Sequence, residues 1–181
     1  MRKGASFAFR RLPFAVALAL WGMAPGQEEI FADEEWTPFY AAASGGMLFP
    51  GVNTRLHEEI GLAETVLGWY ADDTFAYEAR LSYSPDATGA LFGIAAGCLR
   101  HWWGFERFDP FFTFGGAAWC GEHHSFAGGA KRAQGGFYAG SGFFWHLTER
   151  ASFRIEGRAT LAADESPGMT YAVLAGIQWS W

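Results

Sequence analysis

One group of side chains has the types and spacing that nucleophilic catalysis requires. His146, Thr148 and Glu156 would supply a base, a hydroxyl and a carboxylate within one short stretch. In such a triad the base takes the hydroxyl proton as the oxygen attacks, and the carboxylate orients the base. Glu156, however, also belongs to an alternating pattern that places it with other charged residues inside the protein. We therefore expect no enzymatic activity from these residues.

Potential metal ligands follow one another in the polar segment 120–134. Glu122, His123 and His124 are consecutive. Neighbouring side chains on an extended backbone point in opposite directions, so the two histidines do not converge on one ion. The sequence therefore predicts neither a metal site nor a cofactor.

The chain has two cysteines, Cys98 and Cys120. Whether they form a disulfide depends on the centre of the hairpin between them. A centre near Glu106 places Cys120 opposite Phe92, roughly 20 Å along the strand from Cys98, which is too far for a disulfide. A centre at 109–110 would align the two cysteines, so both arrangements remain open.

The N-terminus has the three parts of a secretory signal peptide. Residues 1–11 carry four positive charges, the apolar run LPFAVALALWGM follows, and small residues close the segment. The apolar run is too short for a membrane-spanning helix. We predict that residues 1–26 are a signal peptide, cleaved after Ala24 or Gly26, and that 27–36 form an acidic segment.

Removal of the signal peptide leaves nine basic against 19 acidic residues. The mature chain is therefore acidic, which argues against nucleic acid as a partner.

From residue 37 to residue 181 apolar and polar residues alternate in blocks of about ten residues, the pattern of antiparallel strands. The eight blocks are 39–49, 61–70, 74–83, 90–103, 110–119, 136–146, 152–161 and 169–181. Residues 54–67 also suit a helix, although we favour a strand there. In two blocks all internal charges lie on one face. These charges are Glu78, Arg80, Arg154, Glu156 and Arg158.

The alternation fits either a soluble barrel with an apolar lumen or a membrane barrel with a polar lumen. Aromatic residues at the block ends of the uncharged face favour the membrane barrel, because they would form interfacial girdles. Glycine and other small residues on the charged face leave room in a narrow lumen. We predict an all-β, eight-stranded antiparallel up-and-down transmembrane barrel, with the charges pairing as a plug of salt bridges.

The segments LGWYADDTFAYEARLSYS and GSGFFWHLTERASFRIEGR resemble hairpins of the small outer-membrane β-barrels of Gram-negative bacteria, the OmpA/OmpX-like barrels. The resemblance covers nearly all of residues 37–181. It implies a monomeric, non-enzymatic barrel in the outer membrane, surrounded by lipid and lipopolysaccharide. The last strand is similar to the signal read by the barrel assembly machinery. Its signal residues are Tyr171, Ile177, Trp179 and Trp181.

Such a barrel would contribute to envelope integrity or present loops at the cell surface. The extracellular loops would be 50–59, 84–89, 120–134 and 163–168. The longest of these is the expected contact with a partner or with lipopolysaccharide, through Glu122, His123, His124, Lys131 and Arg132.

Two alternative functions stay open. His146, Thr148 and Glu156 are similar to the His-x-Ser plus Glu arrangement of lipid A 3-O-deacylase barrels. Threonine replaces serine here, however, and the pair lies beside a short turn on the periplasmic side. The second alternative is transport of small hydrophobic molecules, as in OmpW-like barrels.

Overall fold

A computed structural model of the chain describes residues 39–51, 59–86, 89–102, 107–121, 134–163 and 168–181. Eight strands form one closed antiparallel barrel in which each strand pairs with its neighbours in the chain and the first pairs with the last. The strands are β1 (Phe39–Pro50), β2 (Ile60–Tyr70), β3 (Phe75–Asp86), β4 (Gly89–His101), β5 (Phe108–Gly121), β6 (Gln134–His146), β7 (Ala151–Ala162) and β8 (Met169–Ser180). The predicted up-and-down topology is confirmed. The predicted signal peptide and acidic segment lie outside the described residues.

The predicted blocks match the observed strands to within three residues at each end. The largest difference is at β3, which continues to Asp86 because its partner β4 continues the ladder as far as Gly89. The segment 54–67, for which the sequence also allows a helix, is a strand from Ile60 onward. Residues 52–58 lie outside the described residues. Along β2 every second residue is buried, the period of a strand rather than of a helix.

The outer face of the barrel is apolar and exposed. Large side chains project from the middle of the strands, among them Leu81 at 63% and Ile94 at 62% exposure. A closed barrel satisfies its backbone hydrogen bonds within the sheet, so such a surface suits a hydrocarbon environment. The outward side chains of β8 are Tyr171, Val173, Ile177 and Trp179, as the alternation predicts.

The two ends of the barrel differ in their connections. At one end, called the turn end, the short turns 71–74 and 147–150 join strands, and the chain finishes at Trp181. The other end, called the loop end, lies at the opposite ends of the same strands.

The lumen is filled in layers, and β2 shows their order. Val66 belongs to an apolar cluster near the turn end, Leu62 belongs to another near the loop end, and Glu64 lies between them. The turn-end cluster contains Tyr40, Ala42, Val66, Ala76, Leu99, Phe111 and Phe144. The loop-end cluster contains Leu48, Ile60, Leu62, Leu91, Ala172 and Leu174. The lumen, predicted to be polar, is therefore polar in its middle and apolar on either side.

Candidate functional site

Six charged side chains form a central layer in the lumen, and each is at most 6% exposed. All six face inward because they occupy alternate positions on their strands. The layer consists of Glu64 on β2, Glu78 and Arg80 on β3, and Arg154, Glu156 and Arg158 on β7. Three glutamates face three arginines, so the formal charges of the layer cancel.

Three sets of bonds cross the lumen from β7. Arg154 Nη1 donates to Glu78 Oε1 at 2.6 Å. Arg80 Nη1 donates to both carboxylate oxygens of Glu156, at 2.8 and 3.0 Å. Arg158 donates to both oxygens of Glu64, at 3.1 and 2.6 Å. These bonds join β7 to the strands on the opposite side of the barrel.

Further bonds close the layer into one network. Arg80 also contacts Glu64 at 3.2 Å and forms an ion pair with Glu78. Arg154 Nη2 donates to Glu156 Oε2 at 2.7 Å. Each carboxylate therefore accepts hydrogen bonds from two guanidinium groups, which offsets the large cost of removing these charges from water.

Neutral side chains add hydrogen bonds to the network, although Arg80 Nε has no partner among the described residues. Tyr40 donates its phenolic hydrogen to Glu78 Oε1 at 2.6 Å, and Ser82 Oγ donates to Glu64 Oε2 at 2.8 Å. Thr113 Oγ1 accepts from Arg80 Nη2 and donates to the Cys98 carbonyl, both at 3.0 Å. These hydroxyl groups hold the charged groups in fixed positions.

Aromatic rings cover the guanidinium groups. The Arg154 guanidinium carbon lies 4.8 Å from the ring centroid of Phe111, and that of Arg80 lies 5.2 Å from the ring centroid of Tyr138. Such cation–π contacts favour a desolvated arginine. They also join the charged layer to the turn-end cluster, to which Phe111 belongs.

The structure brings together the five charged residues that the sequence places in the lumen, Glu78, Arg80, Arg154, Glu156 and Arg158. The sixth, Glu64, is not predicted from the sequence. In β2 the lumen face carries Leu62 and Val66 beside this glutamate, so the two faces of the strand do not differ clearly in polarity. The alternation could have identified Glu64 once the strand register was known.

The candidate triad is not assembled. Thr148 Oγ1 accepts hydrogen bonds from the backbone nitrogens of Arg150 and Ala151 within the turn. Glu156 is bonded to Arg80 and Arg154 in the central layer. His146 instead contacts Asp109 on β5 and Ser152 on β7, neither of which is predicted from the sequence.

Both cysteines are free thiols. The register places Cys120 opposite Phe92 and Cys98 opposite Phe114. This register corresponds to the hairpin centre near Glu106, which places the two cysteines too far apart for a disulfide.

The residues predicted as a loop contact, Glu122, His123, His124, Lys131 and Arg132, lie outside the described residues. Within the part of the chain that the structure describes, no group of three or more His, Cys, Asp or Glu side chains is placed to hold a metal ion.

No protein-family model matches the sequence, and no curated protein sequence matches it either. Solved structures do match. Neisserial surface protein A is 11% identical with a TM-score of 0.65, over 79% of this chain and 97% of that one. The N-terminal barrel domain of Pseudomonas aeruginosa OprF is 13% identical with a TM-score of 0.61, over 81% and 100%. A designed transmembrane β-barrel is 9% identical with a TM-score of 0.56, over 82% and 98%. The chain therefore has the fold of the small outer-membrane barrels.

Proposed function

We propose that the chain is a closed, non-conducting barrel of the outer membrane that supports the envelope and presents loops at the cell surface. The observation that carries this proposal is the neutral central layer. Three arginines and three glutamates bond one another across the lumen, and apolar clusters lie on both sides of them. An eight-stranded barrel filled in this way leaves no water path. Its function then belongs to its outer face and its ends.

The turn end faces the periplasm in this proposal, and the loop end faces outward. The short turns 71–74 and 147–150 support this orientation, because outer-membrane barrels have short turns on the periplasmic side. The exposed rings of Trp179 and Trp181 suit a membrane interface at that end. Tyr171, Ile177, Trp179 and Trp181 project outward from the last strand or follow it, where the barrel assembly machinery could read them before insertion. The inserted barrel is a monomer surrounded by lipid.

The longest loop is the proposed contact surface. Lys131 and Arg132 would pair with phosphate groups of lipopolysaccharide, since guanidinium and ammonium groups bind phosphate strongly. Glu122, His123 and His124 would contribute polar contacts from the same loop. The other extracellular segments of the proposal are those between β1 and β2, between β3 and β4, and between β7 and β8; the predicted loop 84–89 is corrected to residues 87–88, because β3 continues to Asp86 and β4 begins at Gly89.

A solute-flux measurement tests the closed lumen. The mature protein, refolded into liposomes, should give no swelling in isotonic sucrose or glycine, whereas a general porin reconstituted in parallel should. The transport alternative predicts instead that small hydrophobic molecules enter faster than in empty liposomes. Either swelling or such uptake would overturn the proposal of a closed barrel.

A loop replacement tests the contact surface. Residues 122–133 are replaced by a Gly-Ser linker of equal length, and a second variant carries K131E and R132E. Both should retain the change in gel mobility on boiling that marks a closed barrel, because β5 and β6 keep their residues. Binding to immobilised lipopolysaccharide should fall in both variants. Unchanged binding in both would remove this loop from the proposed function.

A further inference from the structure

A row of four polar side chains crosses strands β5 to β8 at the turn end of the lumen. Ser152 on β7 lies opposite His146 on β6 and opposite Gln178 on β8. On β5, Asp109 pairs with Phe144, two residues before His146. Asp109, Ser152 and Gln178 are buried, and the side chain of His146 is 29% exposed.

Two hydrogen bonds join three members of this row. The Nε2 atom of His146 lies 2.5 Å from Asp109 Oδ2, and its Nδ1 atom lies 2.8 Å from Ser152 Oγ. A carboxylate accepts the Nε2 proton, so Nδ1 carries the lone pair and accepts the hydroxyl proton of Ser152. This arrangement provides a base beside a hydroxyl and a carboxylate that orients the base.

Two atoms of the row lack partners among the described residues. These are Asp109 Oδ1 and Gln178 Oε1, both buried. The Gln178 amide nitrogen makes one long contact, 3.4 Å to the hydroxyl of Tyr70. The Oε1 atom only accepts hydrogen bonds, so the donor is the amide nitrogen, which carries two hydrogens and can direct the second to a group placed beside Ser152.

We propose that Ser152, His146 and Asp109 form an acyl-transfer site for carboxylic esters, with the Gln178 amide as hydrogen-bond donor to the oxyanion. Ser152, His146 and Gln178 are the catalytic residues, and Asp109 is a positioning residue that acts through His146. This inference departs from the sequence-based expectation that the chain is not an enzyme. It does not depend on whether the central layer closes the lumen.

The reaction follows the two halves of ester hydrolysis. Ser152 Oγ forms a bond to the ester carbonyl carbon as its proton passes to His146 Nδ1, and the carbonyl oxygen becomes an oxyanion bonded by the Gln178 amide. The carbon–alkoxy bond then breaks, and the alcohol leaves with the proton from His146. Water attacks the acyl-serine, gives a proton to His146, and releases the carboxylic acid as Ser152 regains its proton.

The surroundings favour a short acyl group. On the lumen side the row adjoins the turn-end cluster, where Phe111 and Phe144 stack with ring centroids 4.6 Å apart. That cluster fills the space that a long acyl chain would need. His146 is the most exposed member of the row, so an ester would approach from the turn end.

The test uses the mature protein refolded in detergent, with p-nitrophenyl butyrate and p-nitrophenyl palmitate as substrates and a fluorophosphonate as covalent probe. The wild-type protein should hydrolyse the butyrate ester faster than the palmitate ester and carry the probe on Ser152. S152A and H146A should lose both ester hydrolysis and labelling by the probe. Q178L should lower kcat by about 100-fold while KM changes little. S180A removes another serine at the turn end of the lumen and should leave the rate unchanged.

Asp109→Asn separates a positioning role from a structural one. Without the carboxylate the imidazole is no longer held with its Nδ1 lone pair toward Ser152, so kcat of the folded fraction should fall while KM changes little. A purely structural role would lower the amount of folded barrel, measured by gel mobility before and after boiling, and would leave kcat of the folded fraction unchanged.

Two further outcomes decide the source of the ester and the proposal itself. Release of fatty acid from phosphatidylethanolamine vesicles, lost in S152A, would identify a membrane lipid as substrate and would contradict the preference for a short acyl group. Hydrolysis of the butyrate ester alone would identify a small soluble ester. A folded wild-type protein that neither turns over the esters nor reacts with the probe would overturn the proposal, as would labelling that persists in S152A.

Discussion

Arg154 on β7 donates a 2.6 Å hydrogen bond to Glu78 on β3, the strand four positions away in either direction around the barrel. The bond therefore joins opposite walls of the lumen. Both side chains are almost fully buried, so neither charge can be satisfied by bulk water. The charged layer therefore connects strands on opposite sides of the barrel. The sheet itself connects these strands only through the strands that lie between them.

The first prediction concerns this pair. Arg154→Met should lower the free energy of unfolding by about 3–5 kcal/mol, because it leaves buried carboxylates with less compensating charge. The double variant E78L/R154M, which removes one charge of each sign, should lose less than the sum of its two single variants, by about 1–3 kcal/mol. Urea unfolding of the protein in lipid vesicles, followed by tryptophan fluorescence, measures these values. Strict additivity would mean that the two side chains do not interact.

The second prediction concerns a hydroxyl group beside the network. Thr113→Val keeps the shape of the side chain but removes the acceptor for Arg80 and the donor to the Cys98 carbonyl. We expect a loss of about 1–3 kcal/mol in unfolding free energy. The matched control is Thr65→Val on the exposed outer face of β2, which should be neutral or stabilising. Equal effects at the two sites would contradict the role assigned to Thr113.

The third prediction concerns a close approach between strands. A Cβ atom at Gly68 would overlap the ring of Tyr40, which donates to Glu78. Gly68→Ala should therefore destabilise the barrel by about 1–3 kcal/mol through overpacking. The control is Gly61→Ala on the same strand, where an added Cβ meets nothing within 4 Å. A Gly68→Ala variant as stable as Gly61→Ala would show that the ring of Tyr40 moves aside freely.

The fourth prediction concerns the turn 71–74. Asp72 Oδ1 accepts hydrogen bonds from the backbone nitrogens of Thr74 and Phe75, each at 2.8 Å. The hydrogen bond from the Thr74 backbone nitrogen is the main reason that the pKa of Asp72 lies below its usual value. Asp72→Ala should cost about 1 kcal/mol of unfolding free energy near neutral pH, and Asp72→Asn should cost less because its oxygen still accepts.

The pH dependence of this turn follows from the sign of the shift. A lowered pKa in the folded state means that the carboxylate stabilises the fold fully above its usual pKa of about 3.9. That contribution is lost as the pH falls through the lower, folded-state value. The stability difference between wild type and Asp72→Ala should therefore shrink below about pH 4. A difference that grows on acidification would contradict this account.

The sequence predicts the barrel well because every strand of a closed antiparallel barrel has one face toward the lumen and one face toward the outside. Each strand therefore shows the period-two pattern by itself. Arg154, Glu156 and Arg158 have apolar neighbours on either side, so their shared face is evident from one strand alone. Glu64 is not evident, because Leu62 and Val66 share its face and belong to apolar layers that arise only when eight strands meet.

The partners of His146 could not be predicted for a similar reason. Ser152 lies across a hairpin, and its contact depends on the turn 147–150 setting the register. Asp109 is 37 residues away in sequence, on the neighbouring strand. The sequence pattern pairs His146 with nearby Thr148 instead, although the hydroxyl of Thr148 accepts backbone hydrogen bonds within the turn.

The central claim is that lipid meets the outer face of the barrel and that the charges face inward. Leu81→Cys and, separately, Glu149→Cys are made in a background with Cys98 and Cys120 changed to alanine, and each carries an environment-sensitive fluorophore. In vesicles, brominated lipid should quench the label at 81 on β3, and aqueous iodide should quench the label at 149 in the turn. Strong quenching of the label at 81 by iodide, with none by brominated lipid, would mean that this face is in water.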